Sequence, residues 1–267
     1  MLRYLRLYLA FARFSLAREL AFRGNFLVKI FVEVLWLFLL LIFYRTVFAK
    51  TSIVAGWSEP AYLFFVGCYF ALEGVLETLF LENCNEFADL VRSGDLDFYL
   101  LKPIDEQFLL SCRNIDWSTA PNLLMGAGVM VLALAELDAP VSWANVVAFV
   151  LLFACGMALA YSFLLMLTSA SVWLMRNQSL YEMWWLFTSL MRYPREVFLN
   201  DWAAPLGWFF SFVVPILLVV YVPAALMVQL LDDPRLVAFT AAMSILMVLL
   251  SRRVFRAALR HYRSASS

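Results

Sequence analysis

One polar stretch, residues 83–117, lies between long apolar runs and restricts the fold more than any other feature of the chain. It carries Glu86, Asp89, Arg92, Asp95, Asp97, Lys102, Asp105, Glu106 and Arg113, interleaved with Phe87, Leu90, Phe98, Tyr99 and Leu100. About 20 apolar residues of helix cross a bilayer core, and the runs on either side are that long. An unsatisfied polar group in hydrocarbon costs several kcal/mol, so the charged stretch must fold in water between two crossings. Hydrophobic residues make up 64% of the 267, against about 45–50% in soluble domains. An all-α, polytopic integral membrane protein follows.

Other classes are set aside by what the sequence carries. The formal net charge is zero, and the arginines divide between the two ends rather than forming a base-reading patch, so no nucleic acid partner is expected. Cys68, Cys84, Cys112 and Cys155 show no paired spacing and read as free thiols. His261 is the only histidine, which leaves neither a zinc site nor a histidine-based triad to build. The phosphate-binding pattern GxxxxGK[S/T] does not occur; if ATP drives this protein, another chain binds it. Residues 1–23 are basic throughout, with no short apolar core ending in a cleavage site, so no cleavable signal is expected.

Along the chain, residues 1–24 read as an amphipathic helix lying on membrane lipid. Arg3, Arg6 and Arg13 share a face with Ala10 and Ala17, opposite Leu5, Leu9, Ala12 and Leu16. Residues 25–82 hold two crossings, 25–48 and 61–81, joined by a polar turn. Lys29 and Glu33, four apart, are expected to pair locally. After the polar stretch, residues 118–192 hold three more, with breaks at Asp138-Ala-Pro140 and at Arg176-Asn-Gln178. The segment 193–233 is interrupted by Pro194, Pro205, Pro215, Pro223 and Gly207; residues 234–251 form a last crossing before a basic tail, 252–267.

Read naively, these pieces give seven crossings and termini on opposite sides. Yet Arg252, Arg253, Arg256, Arg260 and Arg263 crowd the tail as arginines crowd the head, and such residues mark the cytoplasmic side. The number of crossings should therefore be even. Proline removes a backbone donor and kinks a helix, so 193–233 is expected to fold as a re-entrant hairpin on the outer side. Six crossings remain, with both termini and the polar stretch inside. This puts fifteen of the twenty Lys and Arg residues inside.

The polar stretch has its own local logic. Residues 86–92 make two helical turns that gather Phe87, Leu90 and Val91. Ser93-Gly94 stops them, Asp95 is expected to cap a second short helix, and Lys102-Pro103 to end it. The product is a compact elbow, able to transmit a push or merely to join two crossings. Glu73 and Glu77, one turn apart in the second crossing, read either as a polar lining for a transport route or as partners for neighbouring helices. Trp143, Trp173, Trp184, Trp185 and Trp202 fall near crossing ends, as in an aromatic belt. Trp208, Phe209, Phe210 and Phe212 could form an apolar gate.

Three motifs resemble those of the permease subunits of type 2 ABC transporters, the branch of about 260 residues with no fused ATPase. They are Arg92-Ser-Gly-Asp-Leu-Asp-Phe-Tyr-Leu-Leu-Lys-Pro103, similar to a GxLDxxLxxP signature; Tyr193-Pro194 followed by the proline-rich segment, with Val214-Pro215 and Pro223-Ala224; and Arg260-His-Tyr262 after the last crossing. The resemblance implies a dimer of six-crossing halves, the second an identical or paralogous permease chain, in a bacterial-type cytoplasmic (inner) membrane. Each half would dock a separate ABC ATPase subunit, which would bind ATP and Mg; this chain would bind no cofactor and catalyse nothing itself. ATPase coupling would fall to Glu86, Phe87, Asp89, Leu90, Arg92, Gly94, Asp95, Asp97, Phe98, Lys102 and Pro103. The path or outer gate would fall to Glu73, Glu77, Tyr193, Pro194, Trp208, Phe209, Phe212, Pro215 and Pro223. The competing reading is an ion- or proton-coupled carrier using Glu73 and Glu77, although no inverted repeat is visible.

Overall fold

The computed structural model describes residues 2–137, 142–174, 178–200, 202–231 and 233–262. The expected breaks at Asp138–Pro140 and Arg176-Asn177, and Arg263 in the tail, lie outside the described residues. Almost everything described is helix. In order the elements are α1 (Leu2–Ala21), α2 (Arg23–Phe48), a hairpin of β1 (Ile53–Val54) and β2 (Trp57–Ser58), α3 (Glu59–Leu76), α4 (Glu82–Ser93), α5 (Leu96–Leu100) and α6 (Glu106–Cys112). Then come α7 (Ala120–Glu136), α8 (Trp143–Leu174), α9 (Gln178–Met191), α10 (Ala204–Trp208), α11 (Leu217–Met227) and α12 (Arg235–His261).

Among the described residues, four helical rods are long and apolar enough to cross a membrane: Arg23–Phe48, Glu59–Ser93, Trp143–Leu174 and Arg235–His261. A fifth exists if the pair Ala204–Val213 and Leu217–Met227, bent by 89°, counts as one. The remaining expected crossings are shorter: α7 has 17 residues and α9 has 14. The bend has a local cause. Val214 leaves the helical region at φ −120° and ψ 83°, because the residue before Pro215 is pushed out of it.

The rods are longer than hydrocarbon requires. At 1.5 Å per residue the 35 residues of Glu59–Ser93 extend about 52 Å, against a core of about 30 Å. The surplus of that rod, of α8 and of α12 gathers at one end. There Phe87, Val91, Leu96, Leu110, Leu165, Val172, Phe255 and Ala258 form a small core separate from the large one between the crossings.

Backbones meet most closely between α3 and α7. A Cβ placed on Gly126 would stand 2.4 Å from the Ala71 nitrogen, and one on Gly74 would stand 2.6 Å from the Leu123 nitrogen. Small residues allow this approach where helices associate without a hydrophobic drive. By contrast α2 is exposed along nearly its whole length. It meets the bundle through Leu37, Tyr44 and Phe48.

Several expectations need correcting. Lys29 and Glu33 do not pair with each other: the Lys29 ammonium reaches Asp116 at 3.4 Å, and Glu33 accepts from the Asn122 amide at 2.9 Å. Both point across to the start of α7, where Asn122 is buried and Asp116 half-buried, rather than along their own helix. The first limb of the elbow is not a separate helix but the continuation of the second crossing, through a wider π-turn at Glu77–Leu81. Likewise Arg252 to His261 continue α12 rather than forming a distinct tail. The helix after Gly94 ends at Leu100, ahead of Lys102-Pro103, and the unexpected α6 follows. Trp184 is buried in the main core, not placed in a belt. On α1 the expectation is not at odds with the structure: Leu5 and Leu9 are exposed, as a face turned to lipid would be, and the buried position is Ser15. The polar turn after α2 closes as a two-residue hairpin in which Ala55 and Gly56 have φ of 51° and 86°.

Candidate functional site: a docked elbow and an intramembrane polar seam

The elbow, α4 to α6 with the strand of chain that follows, is held by the small core. Phe87 packs its ring 5.9 Å from that of Phe255, and Leu90, Tyr99 and Leu100 close the edges. Gly94 turns the chain in the left-handed conformation, φ +82°, which costs glycine nothing. Asp95 does not cap the next helix as expected. Its own backbone is helical, and its carboxylate turns back to accept from the Ser93 hydroxyl at 2.8 Å. The cap in this region is Asp105, which accepts from the Phe108 amide at 3.1 Å.

Polar contacts fix the elbow further. Glu86 accepts from Arg113 and, at 2.8 Å, from the Asn114 amide. Arg113 and Lys102 both lie over the Tyr99 ring, at 4.7 and 4.6 Å. Asn83, buried, grips the chain after α6 twice: its amide donates to the Asn114 carbonyl at 2.7 Å, and its oxygen accepts the Asn114 N–H at 2.9 Å. Burial pushes the Cys112 thiol up to about 11.

Both ends of the chain latch onto this unit. From α1, Tyr4 accepts the Asp105 N–H at 3.2 Å, Ser15 accepts the Ile115 N–H at 3.1 Å, and Glu19 accepts the Trp117 N–H at 2.9 Å. The Trp117 indole donates to the Ala12 carbonyl at 3.0 Å. Burial raises the Glu19 carboxyl, against the Trp117 amide that favours its charged form. From α12, Arg252 pairs with Asp105 at 2.9 Å. Asp105 thus ties α1, α6 and α12 at one residue.

Of the residues expected to meet a partner, most share the elbow's free side. Asp89 and Arg92 pair with each other at 2.7 Å, and Arg92, Asp95, Lys102 and Pro103 are exposed. Asp97 is half-buried beside Tyr262. Phe87 is an exception: it is 1% exposed and faces inward. The apolar tip is made instead by Phe98, 67% exposed, and Leu101, 81% exposed. Leu101 was not singled out from the sequence, although it stands three residues after Phe98.

The residues expected to line a path divide between two places. Glu73 and Glu77 lie on α3 and its π-turn. Glu73 accepts from the Tyr69 hydroxyl at 2.7 Å, and Arg192 reaches that hydroxyl at 3.4 Å. The guanidinium also lies 5.4 Å from the rings of Trp36 and Tyr69. With Glu33 and Asn122, these groups form a polar seam between α2, α3, α7 and the end of α9. Asn122 and Arg192 were not singled out from the sequence, and Glu33 was read only as a local partner for Lys29, because their partners lie on distant elements.

The proline and aromatic residues lie in the bent pair. Pro194 opens a 3-10 turn, Arg195–Phe198. A π-turn, Phe209–Val213, carries Phe209 and Phe212. Phe212 packs between Trp208 and Phe239, with the Arg195 guanidinium 5.4 Å above its ring. Tyr193, Trp208 and Phe209 are exposed, whereas Pro223 is buried inside α11. Pro215 borders a small apolar cavity with Trp184, Phe187 and Met247. Among the described residues no cluster of His, Cys, Asp and Glu is arranged to hold a metal ion.

The family model described as ABC-2 family transporter protein matches residues 34–266. No curated protein and no solved structure shows a significant match to the chain. The match spans both the elbow and the bent helix pair, and with the apolar rods it makes this a multi-pass membrane protein: the chain belongs to the ABC-2 transporter family, as a membrane permease.

Proposed function

We propose that this chain is the membrane half of an ATP-driven exporter, working as a dimer and driven by separate ATPase subunits that dock on the elbow. The observation that carries the reading is the elbow itself. It protrudes from the crossings, has a core of its own, and ends in the exposed pair Phe98 and Leu101. An apolar tip ringed by Asp89, Arg92, Asp95 and Lys102 has the anatomy of an interface centre with a charged rim. Because Phe87 joins α4 to α8 and α12, a push on the tip moves the ends of three long helices together.

In this reading the elbow and both termini are cytoplasmic, the membrane is the inner membrane of a bacterial-type cell, and ATP and Mg are bound by the partner. Six crossings follow if α7 and α9 span and the bent pair enters and leaves on the outer side. The seam of Glu33, Glu73 and Glu77, with the half of α2 that adjoins it, would face the second permease chain. Charged groups at membrane depth belong in a bundle interior or a water-filled route, so the seam is the natural wall of the path. Phe209 and Phe212 would close its outer end. Family membership favours this over a carrier that uses Glu73 and Glu77 as a proton relay.

Purification of the tagged chain from native membranes in mild detergent, with mass spectrometry of what accompanies it, tests the reading. A stoichiometric soluble subunit with a phosphate-binding loop is expected, together with a second permease copy or a related chain. Isolation of the chain alone, with transport that persists after ATP depletion and collapses with an uncoupler, would overturn it.

A further inference from the structure

A groove of about 380 Å³ runs between α2, α3 and α7 at the end of the bundle remote from the elbow. Its walls are apolar, made by Phe38, Leu41, Leu63 and Leu132 among others. Two charges also line it: Arg45, in the last turn of α2, and Glu136, the last residue of α7. Both are exposed. Among the described residues no ion pair engages either of them.

The groove lies beside the line along which α2 is held, where Leu37 is buried in the main core between two further contacts. One is the Glu33–Asn122 hydrogen bond. The other is the contact of Tyr44 and Phe48 with the Tyr62 ring, at 4.8 and 5.7 Å. An apolar gap in hydrocarbon that nothing fills forfeits the dispersion contacts of its walls, so an acyl chain belongs in it. The charges at its end are of opposite sign. A guanidinium forks onto phosphate oxygens, and a carboxylate accepts from an ammonium that still carries protons. A trimethylated amine offers no N–H, and a headgroup with only negative charge would be repelled by Glu136.

We propose that this groove seats one phospholipid whose headgroup bears a phosphate and a primary amine, the phosphate on Arg45 and the ammonium on Glu136. The site does not depend on the ATPase reading and would be present in a carrier as well. The test uses the full chain in nanodiscs of equal parts phosphatidylethanolamine, phosphatidylglycerol and phosphatidylcholine, released into gentle detergent for native mass spectrometry. One retained phosphatidylethanolamine per chain is expected, enriched at least tenfold over the other two. Glu136→Gln should abolish the preference over phosphatidylcholine, and Arg45→Gln should lower retention of both. Leu132→Trp should displace the lipid by filling the groove; unchanged melting of the two charge variants separates lipid loss from misfolding. Equal retention of the three lipids, or a preference indifferent to Glu136→Gln, would overturn the proposal. So would Leu132→Cys forming a disulfide between two copies in native membranes, which would make the groove a protein interface.

Discussion

Phe87→Ala should detach the elbow from the crossings without unfolding them. Phe87 is 1% exposed and Phe255 is 2% exposed, and they share the small core. Truncating a buried Phe to Ala costs about 3–5 kcal/mol, the lost transfer of the ring plus the cavity it leaves. The elbow's other tethers, chiefly Asn83 and Asp105, remain, so the loss falls on local opening rather than on the whole protein. At about 1.4 kcal/mol per tenfold, a loss of 3–4 kcal/mol raises the exchange rate of elbow amides by about two to three orders of magnitude. The assay is hydrogen exchange with mass spectrometry on the chain in nanodiscs, comparing peptides from 83–112 with peptides from α3 and α7. Phe255→Ala should produce the same pattern. The double variant should fall short of the sum of the two, because the rings touch. Acceleration below tenfold, or equal acceleration across α3 and α7, would refute the idea of a separately stabilised elbow.

Other consequences can be checked on simple variants. Gly126→Ala puts a methyl into the Ala71 backbone and should cost about 1–3 kcal/mol, seen as a lower melting temperature in detergent. Gly128→Ala, with open space around it, should melt like the parent. Asp105→Asn keeps an oxygen for the α6 cap but loses the partly exposed Arg252 pair, so its stability should fall by less than about 1 kcal/mol. Asp105→Ala loses the cap as well and should fall by about 1 kcal/mol more in the same melt. With the other cysteines replaced, Cys112 should react with maleimide at pH 7.5 about a hundredfold more slowly than an ordinary exposed thiol, since only the thiolate attacks. Its rate should go on rising tenfold per pH unit until pH approaches about 11; a plateau near pH 9 would show the thiol to be unburied.

Much of the architecture was legible because membrane folds are written in long, simple signals. The apolar runs located the rods, and Gly94 and Pro215 marked a real helix end and a real break. What escaped was set by pairings between distant parts of the chain. Lys29 and Glu33 satisfied the spacing rule for a local pair, yet each found its partner across the bundle, Asp116 and Asn122. Asp95 fitted the composition of a cap, but the neighbouring Ser93 hydroxyl took its carboxylate. Phe87 and Phe98 look alike in sequence, eleven residues apart, and only packing against Phe255 decides that one is core and the other surface. The crossing count was less legible: parity asked for six, whereas among the described residues four rods are long enough to cross, or five with the bent pair, and α7 and α9 are shorter.

The central claim, that the elbow's tip is where an ATPase docks, is tested most directly by placing a photo-crosslinking amino acid at Phe98. That side chain is exposed and outside the small core, so the substitution should leave the fold intact. Irradiation in native membranes, followed by mass spectrometry of the adduct, should give one dominant crosslink to a soluble protein with a phosphate-binding loop, lost when the crosslinker is moved to the remote Trp143. Adducts to lipid alone, or none at Phe98 under conditions where transport is active, would contradict the account.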